Sequence, residues 1–267
     1  MFAEIPRVHM FGFDFLNAES CEQTAGLLFG WINSGDDPAG GCIRVVITPN
    51  VDQIVKYSRP DSAVLLTRFR RSAVVLADGQ PLVWLSRAIH RPLAQRLPGS
   101  TVFGHLWRAL RDSRVAVVVV SPSESVSTRL MLDHPGATAI TAPHIAATDS
   151  VALDSLAAAI IAAVDSISAR AVFIGLGFPK QELLASLVLD DFERRGSRPP
   201  VMMLIGGSLE FYLGDKKRAP ESWQRLGLEW FHRFLQEPRR LFKRYFVTDV
   251  RFVVLAVREL AAARRSR

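Results

Sequence analysis

The chain has 267 residues, enough for one domain with an appendage or two small domains around a sizeable core. Hydrophobic residues make up 49% and charged residues 22%, a globular balance that excludes a largely disordered chain. The net charge of +7 is unevenly spread: residues 215–267 hold 14 Lys/Arg against 6 Asp/Glu, while the 214 residues before them hold 19 against 20. Such a segment suits an anionic partner (nucleic acid, acidic lipid or a diphosphate), with a merely solvated basic helix as the alternative. Cys21 and Cys42 belong to no CxxC or CxxxC pair, which argues against a zinc site or a disulfide scaffold. MFAEIPRVHMFGFDF at the start shows no basic stretch followed by an apolar run, so no secretory signal is expected and the cytoplasm is the expected location.

In chain order, Arg44–Thr48, Ala73–Ala77, Val115–Val120, Ala171–Leu176 and Val201–Ile205 are short, β-branched and nearly unbroken. They predict strands buried on both faces, as in a parallel sheet. Between them, Pro81–Ile89, Thr101–Arg111, Val151–Ser168 and Lys180–Arg194 predict amphipathic helices, and the alternation implies a layered α/β sheet with right-handed crossovers. Composition changes after Gly214. Trp223, Leu226, Trp230, Phe231 and Phe234 fall on one face of a helix, Pro238 breaks it, and a second segment runs from Arg239 toward Glu259. The run Phe252–Val257 is too short to cross a bilayer. Aromatics beside Arg and Lys fit a helix lying on a membrane and fit core packing equally well. The expected organisation is a Rossmann-like α/β domain over 1–214 and a basic helical appendage over 215–267.

Ligands of open α/β sheets bind outside the carboxyl ends of the strands, so the residues after each apolar run are the candidates. These are Thr48-Pro49-Asn50, Asp78-Gly79, Ser121-Pro122-Ser123, the stretch Gly175–Glu182, and Gly206-Gly207-Ser208. Asp78 has two readings, a general base at a strand end or the N-cap of the helix beginning near Pro81. Gly175-x-Gly177 lacks the third glycine of a dinucleotide fingerprint, Lys180 standing there. The sequence contains no phosphate-binding GxxxxGK[ST] loop, GxSxG elbow, HExxH, or Asp-x-Asp pair to hold a metal on a diphosphate. Stabilising such a leaving group therefore falls to arginines or helix N-termini.

Together these segments resemble the WecG/TagA/CpsF family of bacterial glycosyltransferases (glycosyltransferase family 26). Carrying the resemblance are Thr48-Pro49-Asn50 with VDQIV, Leu76-Ala77-Asp78-Gly79, Arg96 with Gly99-Ser100, and Gly175-Leu176-Gly177 with Pro179-Lys180-Gln181-Glu182. Gly206-Gly207, Phe211 and Gly214 continue it, and the block Arg218-Ala219-Pro220, Gly227-Leu228-Glu229-Trp230, Arg233, Glu237-Pro238, Arg240 and Arg244-Tyr245 is its most specific part. The resemblance implies an inverting, metal-independent enzyme without cofactor. It would move a hexose or N-acetylhexosamine (glucose- or N-acetylmannosamine-type) from a UDP-sugar donor to a polyprenyl-diphosphate-linked sugar in surface or exopolysaccharide synthesis. It implies Asp78 as the base and Thr48 and Asn50 as pocket residues. Arg96 and Gln181 become donor-site residues, and Arg233, Arg240 and Lys243 or Arg244 the cations that close over the diphosphate.

The sequence departs from the family at Ser121-Pro122-Ser123-Glu124, Thr101, Leu209-Glu210 and Pro143-His144-Ile145. Glu210 is assigned a ribose- or base-binding carboxylate, one methylene longer than the family's aspartate. The expected location is the cytoplasm, peripheral on the inner membrane face, with no nucleic-acid partner; a homo-oligomer is compatible with it. The rival reading is a non-catalytic module binding anionic membrane or nucleic acid through the basic tail. The two separate on whether Thr48, Asn50, Asp78 and Gln181 surround one concavity.

Overall fold

The structure, a computed structural model, describes residues 5–34, 43–216 and 250–265 together with positions 220, 223 and 235. Among these the chain builds an eight-stranded sheet in the order β1-β2-β4-β3-β8-β7-β5-β6. β1 (Arg7–Met10) and β2 (Phe13–Leu16) form an antiparallel hairpin whose two-residue turn, Phe11-Gly12, has φ of 55° and 78°. Positive φ at both central residues matches the turn to the twist of the strands, and glycine takes the second position without a Cβ clash. β2 then joins β4 (Ser72–Val75), and every remaining pairing, through β3 (Ile43–Ile47), β8 (Val201–Leu204), β7 (Ala171–Ile174), β5 (Val117–Ser121) and β6 (Ala137–Thr141), is parallel.

Side-chain alternation divides the core into two layers. Val45, Ile47, Val118, Val120, Val172, Ile174, Met202 and Leu204 face one layer. Val46, Val117, Val119, Ala171, Phe173, Val201 and Met203 face the other. Both faces are covered, which explains why the central strands read as unbroken apolar runs. The first layer is closed by α2 (Val51–Tyr57), α3 (Ala63–Phe69), α4 (Gln80–Ala88), α7 (Ser150–Ile167) and α8 (Lys180–Arg194). The second is closed by α1 (Cys21–Ser34), α5 (Gly99–Asp112), α6 (Glu124–Asp133) and the short α9 (Ser208–Tyr212). By length and composition α7 is the one described helix apolar enough to cross a membrane. Its Leu153, Leu156, Ala157, Ile160 and Val164 instead lie in the core.

The five predicted strands and the four helices predicted between them are present, with boundaries shifted by at most two residues. The sequence reading omits α1, α3, α6, α9 and the strands β1, β2 and β6. Physical reasons are visible for the strands: β1 and β2 alternate apolar with exposed polar residues over four positions each, and β6 is a half-buried edge strand of Ala, Thr and Ile.

The last described helix, α10 (Arg251–Arg265), returns to the beginning of the chain. Phe252 is buried in the first layer and stacks on Phe11 with ring centroids 5.5 Å apart, while Glu259 Oε1 accepts from the Phe11 N–H at 2.9 Å. The predicted helix over Trp223–Phe234 and the segment up to Asp249 lie outside the described residues, apart from Trp223, which is helical, and Leu235.

Candidate active site

The connections run from β3 toward the β1 edge and from β5 toward the β6 edge, so the sheet has a topological switch point. At the carboxyl ends of the strands beside it lies an open cavity of about 450 Å³. Thr48, Asn50, Asp78, Arg96, Gln181 and Glu210 all line it. Arg233, Arg240, Lys243 and Arg244 lie outside the described residues.

Hydrogen bonds between neighbouring strand ends fix this arrangement. The Leu76 N–H donates to Ile47 O and the Asp78 N–H to Pro49 O, which sets the Asp78 turn beside Thr48-Pro49-Asn50. The Leu97 N–H donates to Ala77 O at 2.9 Å, which brings the loop carrying Arg96 against the same strand end. Asn50 Oδ1 accepts from the Gln53 N–H at 3.2 Å and Gln53 Oε1 accepts from the Asn50 N–H at 3.1 Å, a capping box that starts α2. Thr48 is buried between β3 and β8, and Gly99 lies so close that a Cβ there would stand 2.8 Å from Thr48 Oγ1.

Asp78 is not the N-cap residue of the following helix: α4 starts at Gln80 with Gly79 as its N-cap, and Pro81 occupies the first turn. The proline lacks an N–H and φ is preset for a helix, so this terminus has less need of a carboxylate. Asp78 stands one residue earlier, half-buried and facing the cavity.

On the far side, β7 leads through Gly175-Leu176-Gly177 into the N-terminus of α8, and β8 leads through Gly206-Gly207 into α9. A Cβ on Gly175 would stand 2.4 Å from Leu209 Cδ1, so this glycine lets α9 approach the β7 turn. α9 is held from behind by Tyr212, whose hydroxyl donates to Asp133 Oδ2 at 2.7 Å. Burial alone would raise the Asp133 carboxyl, but bonds from Tyr212, Trp107 and Arg111 hold it below its ordinary value. Glu210, on α9, pairs with Lys216 at the cavity edge.

Gln181 is buried and braces both turns: its Oε1 accepts from the Gly206 N–H at 3.0 Å and its Nε2 donates to Glu182 Oε1 at 3.0 Å. Glu182 is fully buried behind it and also accepts from the Tyr57 hydroxyl at 3.3 Å. Burial pushes the Glu182 carboxyl up to about 7, against the opposing pull of its hydrogen bonds and of Lys56. The Tyr57 hydroxyl is raised well above its ordinary value, first by burial and then by Glu182.

The cavity lining also contains Lys180 and Ser208, from the strand-end stretches read as candidates, and Asp52, Gln53 and Lys56 from α2 with Lys216, to which the sequence reading gave no role. Only the Asn50-x-x-Gln53 spacing marks this end of α2 in the sequence. The cavity thus presents Lys56, Arg96, Lys180 and Lys216 together with Asp52, Asp78 and Glu210. Lys56 is paired with Asp52 at 2.8 Å. Among the described residues no three His, Cys, Asp or Glu side chains converge to hold a metal ion. A half-buried carboxylate near cations and glycine-lined helix starts is suited to accept a proton beside an anionic leaving group.

Fold and cavity together define a doubly wound α/β protein with a polar cavity at its switch point. Its family follows from a match of residues 8–266 to the model described as "Glycosyl transferase WecG/TagA/CpsF family", and the chain belongs to that family. It is therefore a glycosyltransferase, not the non-catalytic binding module of the rival reading. Among its relatives is an N-acetylglucosaminyldiphosphoundecaprenol N-acetyl-beta-D-mannosaminyltransferase of Staphylococcus aureus strain MRSA252. That protein is 26% identical over 236 residues, covering 88% of this chain and 87% of the relative. The proteins of the same description from strains MW2 and NCTC 8325 are 26% identical over 239 residues, with the same coverage.

Proposed function

We propose that the enzyme transfers a hexose or N-acetylhexosamine, of glucose or N-acetylmannosamine type, from a UDP-sugar to a polyprenyl-diphosphate-linked sugar, with inversion at the anomeric carbon. The observation that carries this reading is the position of Asp78: it lies in one cavity with Thr48, Asn50, Arg96 and Gln181. The relatives' names supply the acceptor class, a sugar on diphosphoundecaprenol.

In the proposed reaction the Asp78 carboxylate takes the proton of the acceptor hydroxyl as its oxygen attacks the anomeric carbon. The bond from that carbon to the donor phosphate breaks on the opposite face, and UDP leaves with the electron pair. Arg96, Lys180 and Lys216 supply positive charge around the leaving diphosphate, and the N–H groups at the start of α8 add to it. Arg233, Arg240 and Lys243 or Arg244 complete that cradle in the proposal. In the proposal Glu210, paired with Lys216 at the cavity edge, takes the ribose or base. With this many cations at the cavity, the transfer is proposed to proceed without a divalent metal. The lipid-linked acceptor and the basic composition of 215–267 support a cytoplasmic enzyme working at the inner face of the membrane.

The test is a panel of UDP-sugars offered with a short-chain polyprenyl-diphosphate-sugar acceptor, reading UDP release and the anomeric configuration of the product, with and without excess EDTA. Acceptor-dependent release with inversion, persisting in EDTA, is the expected result. Retention of configuration, or activity lost on chelation and restored by Mg²⁺ or Mn²⁺, would overturn the mechanism.

A further inference from the structure

A second cavity, of about 250 Å³, lies on the other side of α2. Its floor is apolar and fully buried, made by Phe13, Ile54 and Tyr57. Its rim carries two exposed guanidinium groups, Arg70 from the end of α3 and Arg258 from α10. Neither arginine forms an ion pair among the described residues. The one carboxylate at the rim, Glu259, is already engaged by the Phe11 N–H. Arg70 is placed there by the hairpin turn: its guanidinium atoms lie 2.6–2.8 Å from where a Cβ on Gly12 would stand.

The outer surface of α10 continues the pattern. A helix packed on a core by one face normally turns polar residues outward. Here Val250, Val253, Val254 and Val257 are 54–61% exposed, opposite the buried Phe252 and beside Arg258. A dry floor, a doubly cationic rim and an apolar strip leading away from it form a gradient in one direction. Free phosphate would meet the cations but leave the floor uncovered, and a neutral lipid would leave the arginines without a counter-charge.

We infer that this cavity is a binding site for an anionic phospholipid of the bilayer surface, its phosphate held between Arg70 and Arg258 and its upper chain on the apolar floor and the valine strip. The proposal builds on the reading that the enzyme works at a membrane and specifies which face meets it. Because α2 presents Asp52, Gln53 and Lys56 to the large cavity and Ile54, Tyr57 and Ser58 to the small one, a lipid bound here sets the catalytic cavity one helix away from the bilayer surface.

The experiment uses the full chain and monomeric dihexanoyl phosphatidylglycerol, with dihexanoyl phosphatidylcholine and inorganic phosphate as the other probes, read by hydrogen exchange. Phosphatidylglycerol alone is expected to slow exchange around residues 11–13, 66–70 and 255–259. A paired Arg70→Gln, Arg258→Gln variant is expected to bind phosphatidylglycerol-containing vesicles roughly ten- to thirtyfold more weakly. Its UDP release with a short-chain acceptor should stay unchanged, which shows that it is folded. Equal protection by phosphatidylcholine, protection by phosphate alone, absence of protection at these segments, or unchanged vesicle binding by the variant would each overturn the site. Lipid protection in a protein that fails every UDP-sugar would sink the UDP-sugar reading and leave this site standing.

Discussion

Asp78 lines the cavity one residue before Gly79, the N-cap of α4. Replacing it with Asn keeps the shape and removes the base. Turnover is expected to fall by about two orders of magnitude or more, the scale of lost general-base catalysis, while calorimetry should show donor binding intact. Near-normal turnover would remove Asp78 from the mechanism. Glu182 invites a different measurement. Its carboxyl is raised from 4.5 to about 7, so between those values the folded protein holds a proton that the unfolded chain releases. The contribution of Glu182 to stability therefore falls as pH rises through that window, by on the order of 3 kcal/mol, and is lost above it. Glu182→Gln, which cannot ionise, should flatten this slope in urea unfolding compared at pH 5 and pH 8. Parallel profiles for the two proteins would mean that Glu182 ionises in the folded state much as it does in the open chain.

The elements act on the site through close approaches. α5 begins at Gly99 against Thr48, and a methyl group there would stand 2.8 Å from the threonine side chain, which is buried and β-branched and has little room to move. Gly99→Ala is expected to lower kcat/KM by roughly ten- to a hundredfold through displacement of Thr48. Gly26→Ala, in α1 where an added Cβ meets nothing within 4 Å, should leave kcat/KM unchanged. Unaltered kcat/KM in Gly99→Ala would show that the position of Thr48 does not matter to transfer. The same contrast between local and distant causes explains what the sequence made legible. Central strands announce themselves because both faces are covered, and the polar residues that follow them, from Thr48 to Gln181, can be read as candidates from that fact alone. Lys56 and Lys216 could not, because their approach to the cavity depends on where α2 and the turn after α9 come to rest. Likewise the β1–β2 hairpin hides in the sequence: with four residues per strand and His9 and Asp14 facing out, its burial comes from β4 and α10.

At the scale of the whole molecule, the basic segment after Gly214 cannot be treated as a detachable tail, since α10 at its end supplies Phe252 to the core and Glu259 to the hairpin. Cutting at residue 215 would uncover Phe11 and Phe252's partners and confuse folding with function. Point substitutions are cleaner. Arg233→Ala and Arg240→Ala are expected to impair turnover on a soluble short-chain acceptor, where membrane attachment is irrelevant. Full activity there, with weaker vesicle binding, would reduce these arginines to anchors. The bond from Phe11 to Glu259 also spans 248 positions, and so imposes an order on biosynthesis. At ordinary rates of chain elongation the first hairpin leaves the ribosome roughly ten seconds to a minute before the helix that clasps it. During that interval Phe11 and Phe13 are without their final cover, and the newborn chain is open to chaperones and proteases. A chain cut short before Phe252 would lack both contacts that cover Phe11, the ring of Phe252 and the carboxylate of Glu259.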